Sequence, residues 1–98
     1  MYLIRDVMYC KPGQVRPMVE KFKQLNTVMK KMGFKPARIL TDVSAERYWT
    51  VIAETEVKDL ANYTNMSRKT MQDKNLQKVM KGYHDLVDHG KREIYIVE

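Results

Sequence analysis

The segment YLIRDVMYCKPGQV, residues 2–15, passes from a strand pattern to the start of a helix. Apolar side chains alternate along it, so that Leu3, Val7 and Tyr9 point one way and Tyr2, Ile4, Met8 and Cys10 point the other. The Lys-Pro-Gly that follows ends the strand, because proline cannot donate a hydrogen bond to a sheet and glycine turns readily. From residue 14 to residue 32 apolar residues recur every three or four positions, which predicts an amphipathic helix closed by Gly33.

The rest of the chain predicts three further strands and two further helices. The strands are expected at residues 37–41, 47–55 and 92–97. The helices are expected at residues 57–69 and 74–89. Thr55 and Asp73 are their predicted N-caps, and Gly90 is the predicted end of the second helix. This β-α-β-β-α(α)-β order predicts one α+β domain over residues 1–98, with a ferredoxin-like βαββαβ fold, a four-stranded antiparallel sheet and helices on one face.

The second face of the predicted sheet is expected to be covered as well. The strands carry large apolar residues on both sides, as in Leu3 with Ile4, Val7 with Met8, the run at residues 49–52, and Tyr95 with Ile96. A sheet with one face open to water would alternate apolar with polar residues. No other predicted element covers this face, so a second copy of the chain is the simplest cover, and we expect a homodimer.

Composition restricts the class of protein. No apolar run approaches the roughly 20 residues that span a bilayer, and no basic segment followed by an apolar stretch opens the chain, so we expect neither a membrane partner nor a signal peptide. The single cysteine, Cys10, cannot form an internal disulfide, which suits a cytoplasmic protein. The formal charge of +6 is spread along the chain without a basic block longer than two residues. Such a distribution is typical of a solvated surface.

The same order of elements occurs in RNA-recognition motifs, whose third strand carries a basic-Gly-aromatic-Gly-aromatic signature. Residues 47–54, RYWTVIAE, lack both glycines and place an acid where the last aromatic residue belongs. A sheet face used for base stacking would also be lost in the expected dimer. The pattern therefore argues against a nucleic-acid partner.

The segment Lys11-Pro12-Gly13-Gln14-Val15, at the start of the long helix, resembles the corresponding segment of dimeric α/β-barrel proteins. The later order, with an extra helix before the last strand, resembles them too. This superfamily includes NIPSNAP-like proteins, antibiotic-biosynthesis-type and heme-degrading monooxygenases, and stress-responsive barrel domains, so it supports unrelated chemistries.

The resemblance implies a homodimer with a pocket between sheet and helices. Its implied role is small-molecule binding, or a cofactor-independent monooxygenase-like reaction in which the substrate itself reacts with oxygen. A non-catalytic dimeric interaction or stress-response domain is the alternative.

The heme-degrading branch implies three positions, namely an asparagine on the first strand, a tryptophan on the second helix and an axial histidine on the following helix. They fall near Asp6, Tyr63 and His84, of which only the histidine matches in kind. Two departures out of three argue against heme, and we expect no cofactor.

His84 and Asp6 are the candidate catalytic residues. His84 lies beside the apolar stripe of the last predicted helix, where an imidazole could act as a general base or simply form a helix-edge hydrogen bond. Asp6 interrupts an apolar strand face, which indicates either a pocket or an ion pair with Arg5, Arg38 or Arg47. His84 and Asp88 lack a recognisable third ligand, so no metal site is expected.

The candidate ligand-binding residues are one basic and three aromatic side chains. Aromatic residues line pockets for flat apolar molecules, although at strand and helix spacing they more often form plain core. The set is Tyr63, Trp49, Tyr83 and Arg38.

Overall fold

The computed structural model describes all residues from Met1 to Glu98 and confirms the predicted α+β, ferredoxin-like architecture. Its strands are β1 (Tyr2–Cys10), β2 (Arg38–Thr41), β3 (Thr50–Val57) and β4 (Val87–Ile96). Its helices are α1 (Val15–Lys31), α2 (Leu60–Gln72) and α3 (Lys74–Met80), followed by a 3₁₀ turn at Tyr83–Asp85. The strands form one antiparallel sheet in the order β2-β3-β1-β4. None of the helices combines the length and the apolar character needed to cross a bilayer.

The core lies between α1 and one face of the sheet. Met18 and Phe22 of α1 pack there with Val51 of β3, and both Met18 and Val51 are fully buried. Gly33 ends α1 as expected, because its backbone has a φ of +85° and its N–H donates to the carbonyl of Lys30. A left-handed conformation at this position suits glycine, which has no Cβ to clash.

The third predicted strand begins three residues later than expected, at Thr50 instead of residue 47. Trp49 has a φ of +63°, a left-handed conformation that cannot continue a strand. The Thr50 N–H donates to Asp42 Oδ1 at 2.8 Å, and its hydroxyl donates to the Arg47 carbonyl at 2.9 Å. These local hydrogen bonds hold residues 42–49 as a loop, so Trp49 is not part of the sheet.

The last predicted helix is much shorter than expected. Asp73 caps α3 as predicted, accepting from the Leu76 N–H at 3.0 Å, but the helix ends at Met80. Gly82, with a φ of +82°, breaks the chain direction before the 3₁₀ turn. Gly90, the expected end of the helix, instead lies inside β4. Both Gly82 and Gly90 could end a helix, and the structure ends α3 shortly before Gly82.

Helix α2 is displaced by three residues from its predicted range of 57–69. Thr55 lies inside β3, and Asp59 is the N-cap, accepting from the Ala61 N–H at 2.8 Å. The strand therefore extends further, and the helix starts later, than the apolar pattern indicated. The two caps, Asp59 and Asp73, separate α2 from the strand before it and from the helix after it.

The sheet has two faces of different composition. Ile4, Asp6 and Met8 of β1 point toward the helices, on the helix side, whereas Arg5 and Val7 point to the opposite side, which we call the open face. Five charged side chains cross the open face in a charged belt that touches all four strands. The belt consists of Arg38, Glu54, Arg5, Glu93 and Lys91. The expectation that both faces are apolar is therefore wrong for the middle of this face, where opposite charges lie directly across from one another.

Gly90 is expected to resist substitution because β4 approaches β1 closely there. A Cβ at this position would lie 3.0 Å from the Val7 carbonyl oxygen and 2.9 Å from Met8 Sδ. The carbonyl belongs to backbone and cannot move aside. Gly90→Ala should therefore lower the free energy of unfolding by about 1–3 kcal/mol in urea denaturation. Lys91→Ala, one residue along the strand, replaces an exposed side chain and should change the free energy of unfolding much less. Equal losses in the two variants would contradict the close approach.

Candidate functional site

A cleft of about 580 Å³ lies between the helix side of the sheet and helices α2 and α3. Thirteen of its 22 lining residues are hydrophobic, and five of them are methionines: Met8, Met29, Met66, Met71 and Met80. Ligand pockets of proteins typically measure roughly 300–1,000 Å³ and are mostly apolar with a few placed polar groups. The cleft has the size and composition of such a pocket.

The cleft exists because α2 stands away from the sheet. This helix packs along α3, and the only buried residue it contains is Thr70, whose hydroxyl donates to the Met66 carbonyl at 2.6 Å. Tyr63, Met66 and Ser67 on its inner side are half-buried and line the cleft. Flexible methionine side chains form much of the facing wall, so the wall can adapt to the shape of an occupant.

One end of the cleft is polar and is built from neighbouring strands. Asp6 of β1 and Arg92 of β4 are directly opposite in the strand register. Arg92 Nε donates to Asp6 Oδ1 at 2.6 Å, and Nη2 lies 3.5 Å from Oδ2. The hydrogen bond to Asp6 raises the pKa of the Arg92 guanidinium, which therefore stays charged. The pair places a fixed cation and its counter-ion at the edge of an apolar space.

Tyr63 of α2 lies against this polar end, on the side of the cleft opposite the sheet. The Arg92 guanidinium carbon lies 5.6 Å from the centre of the Tyr63 ring, within the range of a cation–π contact. Burial raises the pKa of the Tyr63 phenol, the negative charge of Asp6 raises it further, and the positive charge of Arg92 partly opposes both. At neutral pH the phenol therefore keeps its proton and can donate it in a hydrogen bond.

The 3₁₀ turn forms another part of the cleft wall. Its residues Tyr83 and His84 both line the cleft, and their rings lie 3.9 Å apart between centres. His84 is exposed, whereas Tyr83 is half-buried against the core. Lys21 of α1 holds the end of α3 next to this turn, since its ammonium donates to the carbonyl of Val79 at 3.1 Å and to that of Lys81 at 2.8 Å.

Four of the six predicted site residues line the cleft: Asp6, Tyr63, Tyr83 and His84. The other two do not. Arg38 extends from the open face, where its exposed side chain pairs with Glu54, and Trp49 lies in the loop before β3. His84 and Asp88 are not one helical turn apart, because Asp88 belongs to β4 and pairs with His89. The roles proposed for the four cleft residues stay predictions.

Sequence reasoning missed Arg92 as the partner of Asp6 and named three other arginines. Arg5 and Arg47 lie at the open face, with Arg38, so none of the three reaches Asp6. The alternation of side chains in the last predicted strand already showed which of its residues share a face with Arg92. The position of Arg92 opposite Asp6 was not visible, because the register of two strands 86 residues apart depends on the fold.

The residues of the cleft do not fit heme. Asp6 lies at the position of the asparagine of the heme-degrading branch, and its carboxylate is paired with Arg92. The ring of Tyr63 lies against the Arg92 guanidinium. Two of the three implied positions thus serve an ion pair of the protein itself. No three His, Cys, Asp or Glu side chains converge as a metal site requires.

Comparison with solved structures finds the same fold in proteins of very low sequence identity. An uncharacterised NIPSNAP-domain protein from Burkholderia xenovorans is 12% identical, with a TM-score of 0.81 over 100% of this chain and 95% of that chain. A NIPSNAP family protein from Agrobacterium tumefaciens is 9% identical, with a TM-score of 0.84 over 99% of this chain and 92% of that chain. This chain is similar in fold to NIPSNAP-domain proteins.

The NIPSNAP-like fold extends to a protein provisionally assigned as an antibiotic biosynthesis monooxygenase, from Nitrosomonas europaea. It is 14% identical, with a TM-score of 0.71 over 99% of this chain and 98% of that chain. No protein-family model and no curated protein matches the sequence. At these identities the likeness concerns the fold alone, and the expected resemblance to NIPSNAP-like and antibiotic-biosynthesis-type proteins is confirmed at that level.

The charges of Asp6 and Arg92 act in opposite directions on the pKa of the Tyr63 phenol, so removing one or the other should shift this pKa in opposite directions. Asp6→Asn removes a negative charge and should lower the pKa of the Tyr63 phenol, whereas Arg92→Gln removes a positive charge and should raise it. NMR titration of the protein with ¹³C-labelled tyrosine rings measures both. Lys91→Gln removes a charge from the same strand on the open face and should leave this pKa unchanged. Shifts of the same sign in the first two variants would contradict the assignment.

Proposed function

We propose that this protein binds a small aromatic or otherwise apolar molecule in the cleft between sheet and helices, and that it acts as a homodimer. The observation that carries the proposal is the cleft of about 580 Å³, with thirteen hydrophobic lining residues and a polar end built from Asp6, Arg92 and Tyr63. Apolar walls provide affinity through the release of water, and a few placed polar groups orient the ligand. This arrangement favours a ligand with an apolar body and one polar end.

The alternative, a non-catalytic interaction or stress-response domain, would be expected to fill this space with its own side chains. Here Met66 and Ser67 of α2 are half-buried over the open volume and do not close it. An apolar cleft that is left open toward solvent has a cost, because its walls lose the contacts that close packing would supply. A ligand that supplies those contacts offsets the cost, which supports the binding role.

A cofactor-independent oxygenation is the catalytic form of this proposal. The likeness in fold to a protein assigned as an antibiotic biosynthesis monooxygenase favours it. His84 would accept a proton from the substrate, whose electrons then pass to O₂ itself. In such a reaction a substrate CH₂ group becomes C=O, and the second oxygen atom leaves as water. The protein contributes a base and apolar walls, which exclude water from the reacting atoms once the substrate fills the cleft.

The open face supports the proposed dimer through its pattern of apolar and charged groups. Leu3 and Tyr95 lie together at one end of this face, where Tyr95 is half exposed, whereas Val7 and Tyr9 at the other end are already buried within one copy. The charges of the belt are already paired within one copy, so covering them costs less than covering isolated ions. In a two-fold dimer the same patch lies on both copies, so a second copy would cover the apolar groups that this end of the face leaves exposed.

Filling the cleft should abolish ligand retention. Ser67→Trp places an indole into the cleft from α2, while Asn65→Trp adds the same volume on the exposed side of the same helix. Native mass spectrometry should show an added discrete mass on the unmodified protein and on the Asn65 variant, and no such mass on the Ser67 variant. Retention by the Ser67 variant would place the ligand elsewhere, and an unmodified protein without added mass would contradict the binding role.

The molecule identified by native mass spectrometry can also be used as a substrate to test the proposed oxygenation. With it as substrate, His84→Ala should abolish oxygen uptake at an oxygen electrode while the bound mass is kept. Asp85→Ala, on the same 3₁₀ turn, should leave the uptake unchanged. Uptake that is unaltered in the His84 variant would remove this imidazole from the mechanism.

A charge on the open face should separate the proposed dimer. Tyr95 is 46% exposed on this face, and its neighbour Ile96 is 65% exposed on the helix side of the same strand. Sedimentation velocity should show a dimer for the unmodified protein and for Ile96→Glu, and a monomer for Tyr95→Glu, since a carboxylate buried without a partner costs several kcal/mol. A monomeric unmodified protein, or a dimer that survives Tyr95→Glu, would contradict the interface.

A further inference from the structure

We propose that the ligand of the cleft is an amphipathic carboxylic acid whose carboxylate binds Arg92 while its apolar body lies along the methionine-rich wall. This inference rests on the binding role proposed above and specifies the chemical class of the ligand. It follows from the hydrogen bonds that Arg92 leaves free, from the balance of charges around the cleft and from the position of Tyr63.

Arg92 retains donors for a second anion after it has bound Asp6. A guanidinium has five N–H donors in a planar fork. Asp6 takes the side of the fork formed by Nε and Nη2, which leaves three N–H groups, including both on Nη1. The end of the fork, formed by Nη1 and the second N–H of Nη2, matches the two oxygens of another carboxylate. Asp6 therefore orients Arg92 without using up its capacity to bind an anion.

The charges that line the cleft favour an acid over a base. Asp6 is the only acidic residue among the lining residues, and Arg92 already neutralises it. Lys81 lines the cleft as well, and the ammonium of Lys21 lies 2.8 Å from the Lys81 carbonyl. Lys81 therefore gives the cleft as a whole an excess of positive charge, which favours a carboxylate, whereas an ammonium ligand would find no unpaired acid.

Tyr63 provides a second hydrogen-bond donor at the same end. Its ring lies against the Arg92 guanidinium, and burial together with the charge of Asp6 raises the pKa of its phenol, so the hydroxyl carries its proton at neutral pH. A protonated phenol donates to an anionic oxygen, and a phenolate would repel it. Most of the remaining wall is apolar, and Asp6, the one acidic lining residue, is already paired with Arg92.

The test compares two probes that differ in charge and share their shape, naphthalene-2-carboxylate and naphthalene-2-carboxamide. Isothermal titration calorimetry of the full chain at neutral pH should show that the carboxylate binds about ten- to a hundredfold more tightly than the amide. Arg92→Gln should remove this preference and leave the affinity for the amide unchanged. Lys91→Gln, which removes the same charge on the opposite face of β4, should keep it. Circular dichroism checks that each variant is folded.

Arg92→Lys provides a second measurement if the glutamine variant does not fold. Lysine keeps the positive charge but lacks the planar pair of N–H donors, so the preference for the carboxylate should become smaller without disappearing. Equal affinities of the two probes for the unmodified protein, or a preference that survives Arg92→Gln, would overturn the assignment of an acid and leave the binding role intact. Failure of both probes to bind would contradict the binding role together with this inference.

Discussion

The alternation of side chains along β1 is the constraint on which both the cleft and the open face depend. β1 lies in the middle of the sheet and pairs with β3 on one side and β4 on the other over nearly its whole length. Successive residues of a strand face opposite sides, so Asp6 enters the cleft while its neighbours Arg5 and Val7 enter the open face. A slip of one residue between β1 and a neighbouring strand would move the side chains of that neighbour to the opposite face of the sheet. The polar end of the cleft and the charged belt are therefore set by one register.

The same register explains how a sheet of this size tolerates two systems of charges. Asp6 lies directly opposite Arg92, and Arg5 lies directly opposite both Glu54 and Glu93. Cross-strand neighbours of opposite charge attract each other at short range. These side chains are partly exposed, so each pair contributes only about 0–1 kcal/mol to stability. Their main effect is on orientation, since a paired guanidinium points in a defined direction, which is what a binding site requires.

Local patterns predicted the parts of the fold whose causes are local. β1, α1 and the cap at Asp73 were found because alternation, helical spacing and capping chemistry act over a few residues. The start of β3 was missed because the left-handed backbone of Trp49 depends on hydrogen bonds that cross the loop. The end of α3 was missed because two glycines were available and helical spacing continued past Gly82. Four cleft residues were predicted from their types, but the ion pair of Asp6 required a register that no local pattern contains.

The displacement of α2 from the sheet relates the stability of the protein to its proposed function. A helix usually gains most of its stability from packing an apolar face. α2 buries only Thr70 and relies on α3 for its closest packing, so its inner side, with Tyr63 and Met66, has contacts still to gain. An occupant of the cleft would supply them, and a ligand that binds only the folded state stabilises it in proportion to the logarithm of its concentration. A ligand in the cleft would therefore add to the packing of α2, whose inner side lines that space.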